Sequence, residues 1–207
     1  MLDDEDSTEI ENNTQNGEGM SRIREILIFT WEAAKIIIIS LAIILPIRYY
    51  LIQPFFVKGA SMEPNFEDGD YLLIDEISYR FHEPQRGDVI VFRYPENPSQ
   101  FFIKRIIGLP NETVEINDNR VVIYNSYFPE GLDLDESYLA SHQQTIGDLT
   151  ARLNDHEYYV LGDNRLQSSD SRRWGSLDKS FITGKTFLRL WPLNSLDKIK
   201  GVKYSYE

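Results

Sequence analysis

Phe101-Phe102-Ile103-Lys104-Arg105-Ile106-Ile107-Gly108 is the stretch on which the fold turns. Its aromatic and β-branched residues favour a strand, and turn signals bound it, Pro95–Pro98 before and Pro110-Asn111 after. Side chains alternate along a strand, so Lys104 shares a face with Phe102 and Ile106 while Arg105 points the other way. A lysine among apolar neighbours is desolvated, which disfavours the ammonium and lowers the pKa. On this segment alone, a snorkelling lysine on an edge strand is the plainer alternative.

The same pattern extends in both directions. Short β-prone runs occur at Phe55–Lys58, Asp70–Asp75, Asp88–Tyr94, Thr113–Ile116, Arg120–Tyr124, Glu157–Leu161 and Lys185–Trp191. Glu67-Asp68-Gly69, Gln85-Arg86-Gly87 and Asn117–Asn119 punctuate them. Many short strands of this kind predict a mainly β, antiparallel domain over residues 54–207. Residues 130–155 are acidic and weakly periodic, and are read as a partly helical excursion from the sheet.

Before Pro54 the pattern is different. Ile26–Ile47 (ILIFTWEAAKIIIISLAIILPI) spans 22 residues, about 33 Å as a helix, the thickness of a hydrocarbon core. Only Glu32 and Lys35 interrupt it, three apart on one face where they can pair. Trp31, Tyr49 and Tyr50 are candidate interfacial anchors. A buried core helix fits poorly because Ile36–Ile39 and Leu41–Leu45 are apolar on every face. A cleavable leader fits poorly because no small-x-small site follows. Residues 21–53 are therefore read as one transmembrane anchor helix and a juxtamembrane segment, with the apolar run Tyr49–Val57 lying on the membrane surface. The basic residues, Arg22, Arg24 and Lys35 before the core and Arg48 and Lys58 after it, favour a cytoplasmic N-terminus only slightly.

The 207 residues carry a net charge of −12, of which Asp3, Asp4, Glu5, Asp6, Glu9, Glu11 and Glu18 supply −7 before the first basic residue, Arg22. Acidic, apolar-poor segments bury too little to fold, so residues 1–20 are read as a disordered tail. No basic stripe supports nucleic-acid binding. The absence of cysteine excludes disulfides and thiol catalysis. His82, His142 and His156 are scattered, with no H-E-x-x-H zinc motif.

Two further segments complete the chemical candidates. Gly59-Ala60-Ser61-Met62-Glu63-Pro64 follows a short apolar strand, and Pro64 prevents further ladder pairing, so Ser61 sits on a strand-ending turn. Gly162-Asp163-Asn164-Arg165-Leu166-Gln167-Ser168-Ser169-Asp170-Ser171-Arg172 follows the run ending at Leu161 and is dense in hydroxyls and charges. Separately, these read as a turn serine and a solvated loop.

In order behind an anchor, S-M-x-P, K-R-x-x-G-L-P and G-D-N-x-x-x-S-x-D-S-R resemble the type I signal peptidases. Gly87–Val91 and Gly184–Asn194 (GKTFLRLWPLN) extend the resemblance to the carboxy end. It implies Ser61 as nucleophile, Lys104 as general base and Ser168 as the hydroxyl that orients the lysine. It also implies Asp170 and Arg172 as a supporting ion pair, and Asp163 as a structural carboxylate. Met62, Phe55 and Val57 would border the substrate. Gly59 stands where some members carry a serine that donates to the oxyanion, so the hole would rest on the Ser61 backbone N–H and the backbone near Gly59. Asn65-Phe66 replaces the common Thr-Leu, and Asn111-Glu112 the common Gly-Asp. The implied partners are signal peptides of exported precursors, membrane lipids and the export machinery. No metal or other cofactor is required. The implied setting is a plasma or thylakoid membrane, with the N-terminus cytoplasmic and the peptidase domain outside. A self-cleaving Ser-Lys repressor would carry a DNA-binding domain where this chain has a tail and an anchor. A silent anchored domain that binds export machinery would not need the dyad.

Overall fold

The structure is a computed structural model that describes residues 5–46, 52–199, 201, 202 and 204. The chain divides into two units, Met1–Tyr49 and Tyr50–Glu207.

In the first unit, α1 (Glu5–Pro46) is one helix of 42 residues. Residues 5–20, read as a disordered tail, are drawn as part of this helix; residues 1–4 lie outside the described residues. Glutamate forms helix well, and no proline precedes Pro46. Arg24–Leu45, 22 residues with a mean hydropathy of 2.1 and none buried, is long and apolar enough to cross a membrane. The side chains of Ile36 to Ile39 are exposed. Glu32 and Lys35 pair at 3.3 Å. Tyr49 and Tyr50 lie outside the described residues.

The second unit is built from antiparallel strands. In chain order they are β1 (Ile52–Phe56), β2 (Tyr71–Asp75), β3 (Val89–Tyr94), β4 (Asn97–Gly108), β5 (Thr113–Asn117) and β6 (Arg120–Tyr124). There follow β7 (Leu132–Asp133), β8 (Leu149–Arg152), β9 (Glu157–Leu161), β10 (Leu177–Asp178), β11 (Ile182–Trp191) and β12 (Asp197–Lys198). The larger sheet has eight strands in the order β1-β2-β11-β3-β4-β9-β10, with β12 also on β11. The smaller has four, β7-β6-β5-β8.

β1 starts at Ile52, so that part of the run read as lying on a membrane surface forms a sheet edge. Pro54 is tolerated there. Val57 N–H bonds Asp70 O on the β2 side, so by alternation the donor that Pro54 lacks belongs to the open edge. β4 begins at Asn97, earlier than expected, because Tyr94 pairs with Asn97 and turns the chain within two residues. β5 and β6 join through Asp118 (φ 50°) and Asn119 (φ 62°), the paired left-handed geometry of a tight hairpin. Residues 130–155 contain no helix; β7 and β8 bring their ends into the smaller sheet. These strands are too short and polar to show an apolar alternation.

Three apolar clusters hold this unit. Val57, Met62, Phe66, Leu72, Ile74, Val89 and Val91 pack under β1 and β2. Ile90, Phe92, Ile106, Tyr158, Val160 and Leu177 pack across β3, β4 and β9. Ile107, Val114, Ile116, Val121, Ile123, Tyr159 and Leu161 join β4 and β9 to the smaller sheet.

Candidate active site

After β1 the chain turns sharply at Gly59 (φ 88°), a conformation that glycine adopts without steric cost. Met62, fully buried with Val57, Phe66 and Leu72, pins the turn into the core. Met62, expected beside the substrate, thus packs in the core and is not among the residues that line the neighbouring cavity. Ser61, one residue earlier, faces a cavity of about 590 Å³ lined also by Phe55, Val57, Leu72, Val91, Phe102 and Lys104.

Lys104 comes from the middle of β4, paired in register with Ile90 of β3. Only 3% of it is exposed. Its Nζ donates to Ser61 Oγ at 2.7 Å and to Ile103 O at 2.7 Å, and lies 5.4 Å from the centre of the Phe102 ring. Burial pushes the amine down to about 8, against the pull of the Asp170 and Asp163 carboxylates. Arg105 points to the opposite face and meets Asp163 through two bonds, Nε to Oδ1 at 2.8 Å and Nη2 to Oδ2 at 2.6 Å.

The loop after β9 closes over the back of the Ser61 turn. Gly162 must be glycine for steric reasons. A Cβ there would lie 2.3 Å from Ser168 Oγ and 2.4 Å from Ser61 O. Asp170 caps the short helix Ser171–Trp174 and pairs with Arg172 Nε at 2.8 Å. Burial pushes the Asp170 carboxyl up, but the Arg172 guanidinium and the Gly162 N–H outweigh it and hold the group below the usual carboxylate range. Ser168 is buried beside Gly162. Its hydroxyl makes no hydrogen bond to Lys104, whose bonds go to Ser61 and Ile103. The orienting contact implied by the resemblance is therefore not formed here, and the Ile103 carbonyl holds the amine instead.

Gly59 also departs from expectation. Its N–H is committed to Asp68 Oδ1 at 2.7 Å, so it is not a free donor for an oxyanion. The Ser61 N–H makes no hydrogen bond among the described residues. Two residues missed in the sequence reading grip the Ser61 turn and the loop behind it. Asn164 donates to Ser61 O from its N–H at 3.1 Å and to Ala60 O from Nδ2 at 3.0 Å. Asn65, read only as a departure from the family pattern, donates to Asp163 Oδ2 at 2.9 Å. Asn164 lay inside the G-D-N motif; its partners are distant in the chain and left no local signal. Among the described residues no group of three His, Asp or Glu side chains converges to hold a metal ion.

Comparisons with known proteins agree with one another. The family described as signal peptidase, peptidase S26 matches residues 30–191. A probable signal peptidase I-1 of Synechocystis sp. is 37% identical over 172 residues, covering 79% of this chain and 84% of that protein. The signal peptidase I of Leptolyngbya laminosa is 37% identical over 175 residues, covering 81% and 83%. That of Bacillus amyloliquefaciens is 32% identical over 180 residues, covering 82% and 90%.

Proposed function

The chain belongs to the signal peptidase family, peptidase S26, and on that premise we propose that it is a serine endopeptidase that removes signal peptides from exported precursors, with Ser61 as nucleophile and Lys104 as general base. The observation that carries this reading is the 2.7 Å contact between Ser61 Oγ and a buried Lys104 amine. An exposed lysine is protonated at neutral pH and cannot accept a hydroxyl proton. Burial lowers the amine's pKa to about 8, which brings a neutral fraction within reach near neutral pH, and Ile103 O takes one N–H so that the lone pair of that form can face Ser61.

The reaction is acyl transfer. Neutral Lys104 takes the Ser61 proton as Oγ attacks the scissile carbonyl. The Ser61 N–H donates to the developing oxyanion. The ammonium then protonates the leaving amine, and the regenerated amine activates water to release the acyl group. Asp163 and Asp170 limit how far the lysine pKa falls. Ser168 packs against Gly162 in the loop behind the Ser61 turn.

Substrate would enter as an extended strand. β1 is an edge strand, and β4 pairs with β9 only from Arg105 onward, so both rims of the cavity offer unpaired backbone. Phe55 and Val57 line the cavity between them, which suits small apolar side chains before the cut. Phe56, Tyr71 and Trp191 stand side by side in register across β1, β2 and β11, all exposed. Such a row suits contact with membrane lipids. Arg24–Leu45 would anchor the chain with its N-terminus cytoplasmic and the peptidase unit outside.

Incubation with a synthetic precursor in detergent, with product masses read by spectrometry, tests the assignment. Ser61→Ala and Lys104→Ala are each expected to abolish cleavage. Full activity in Lys104→Ala would reject the dyad.

A further inference from the structure

Between β7 and β8 the chain leaves the sheet over residues 134–148. This excursion grips the loop behind the nucleophile. Glu136 forks onto Arg165, Oε1 accepting from Nη2 at 2.5 Å and Oε2 from Nη1 at 3.0 Å. Tyr138 OH accepts from Nη2 at 2.8 Å, and Thr145 Oγ1 accepts from Nη1. Gly162 O takes the Nε–H at 3.0 Å. A guanidinium has about five N–H groups, so every donor of Arg165 is used, mostly on the excursion. The Arg165 side chain is 0% exposed and Glu136 only 14%.

The neighbour of Arg165 is Asn164, whose two bonds hold the carbonyls of Ala60 and Ser61. Gln143 Nε2 donates to Asn164 Oδ1 at 3.3 Å. With that oxygen engaged, the amide is turned so that Nδ2 faces Ala60. On the other side of the turn, Asn65 Nδ2 donates both to Tyr138 O at 3.3 Å and to Asp163 Oδ2. The excursion lines no part of the cavity and does not touch the Lys104 amine.

We infer that the 134–148 excursion is a positioning strap for the nucleophile, in which Glu136 through Arg165, and Gln143 through Asn164, hold the Ser61 turn against Lys104. This rests on the reading of Ser61 and Lys104 as the reacting pair. Glu136 and Gln143 are positioning residues, since neither meets the reacting atoms. Small displacements of a nucleophile, on the order of 1 Å, can cost up to about a hundredfold in rate. The strap's effect belongs on kcat, because it lines no part of the cavity and meets β4 only through the Tyr138 ring on the Arg105 guanidinium, 4.5 Å away on the face opposite Lys104.

The test uses the full chain in detergent and a peptide with small residues at the first and third positions before the cut. Active sites are counted with a serine-directed acylating inhibitor. In Glu136→Gln, kcat per titrated serine is expected to fall about tenfold to a hundredfold, with KM little changed and the acid limb of the kcat–pH profile displaced. Wild-type kcat per site and an unchanged pH profile, with only a lower melting temperature, would overturn the inference. If Glu136→Gln does not fold, Gln143→Ala decides, because it removes a half-buried amide and one long bond to Asn164. A severalfold loss of kcat per site supports the strap, and wild-type kcat overturns it. Failure of the wild-type chain to acylate at Ser61 or to cut the peptide would instead reject the underlying peptidase reading.

Discussion

Lys104 costs the fold stability in the same state that silences the site. Its folded pKa, about 8, lies below the usual lysine value. Below about pH 8 the ammonium is forced into an apolar site, a penalty on the order of 3 kcal/mol. Between that pH and the unfolded lysine pKa the unfolded chain binds more protons, so this contribution to stability rises with pH. Lys104→Met is therefore expected to raise the denaturation midpoint at pH 6.5 while abolishing cleavage, with the stability gain shrinking at pH 9.5. For the wild-type enzyme, kcat/KM should fall about tenfold per pH unit below roughly 8, because that ratio reports the free enzyme's base. A profile flat well into acid would remove the amine from the mechanism. At this scale much was legible. The alternation of Phe102, Lys104 and Ile106 foretold a desolvated lysine, and Lys104 is buried. Met62 was not legible, because a methionine after a nucleophile suits a pocket wall or a core plug equally well. Only packing against Phe66 and Leu72 distinguishes them.

At the scale of elements, β1 and β4 do more than support the dyad. β1 has a partner on one side only, and residues 101–104 of β4 run past the end of β9. If substrate adds as a strand, its backbone N–H groups supply part of the affinity. A peptide N-methylated at the third residue before the cut should then show a KM raised about tenfold, the loss of one backbone bond, with product masses unchanged. An unaltered KM would argue that side-chain pockets alone bind substrate. The long strands could be read from the sequence because their apolar residues and bounding turns are local. β7, β8, β10 and β12 could not, because two to four residues carry no periodicity and depend on partners elsewhere. The excursion 134–148 was opaque for the same reason. Its order comes from Arg165 and Asn164, which lie beyond β8 and β9.

For the whole molecule, the anchor and the peptidase unit are separately organised, and the three apolar clusters belong to the second unit. A chain lacking residues 1–49 is expected to fold and to cut a soluble peptide in detergent. It should bind lipid vesicles far more weakly than the full chain, as read by flotation. Equal flotation of both would place membrane attachment in the second unit alone. The sequence by itself determined the 22-residue apolar span and the antiparallel β character, and it singled out Ser61 and Lys104 as the candidate pair. Each of these is written in local composition, alternation and motif order. Tertiary structure alone decided that the Ser61 N–H has no partner among the described residues while the Gly59 N–H is taken, that Ile103 O rather than Ser168 holds the amine, and that an acidic excursion grips the loop after β9. These contacts join residues distant in the chain, and hydrogen bonds between such residues are chosen by the packing that brings them together.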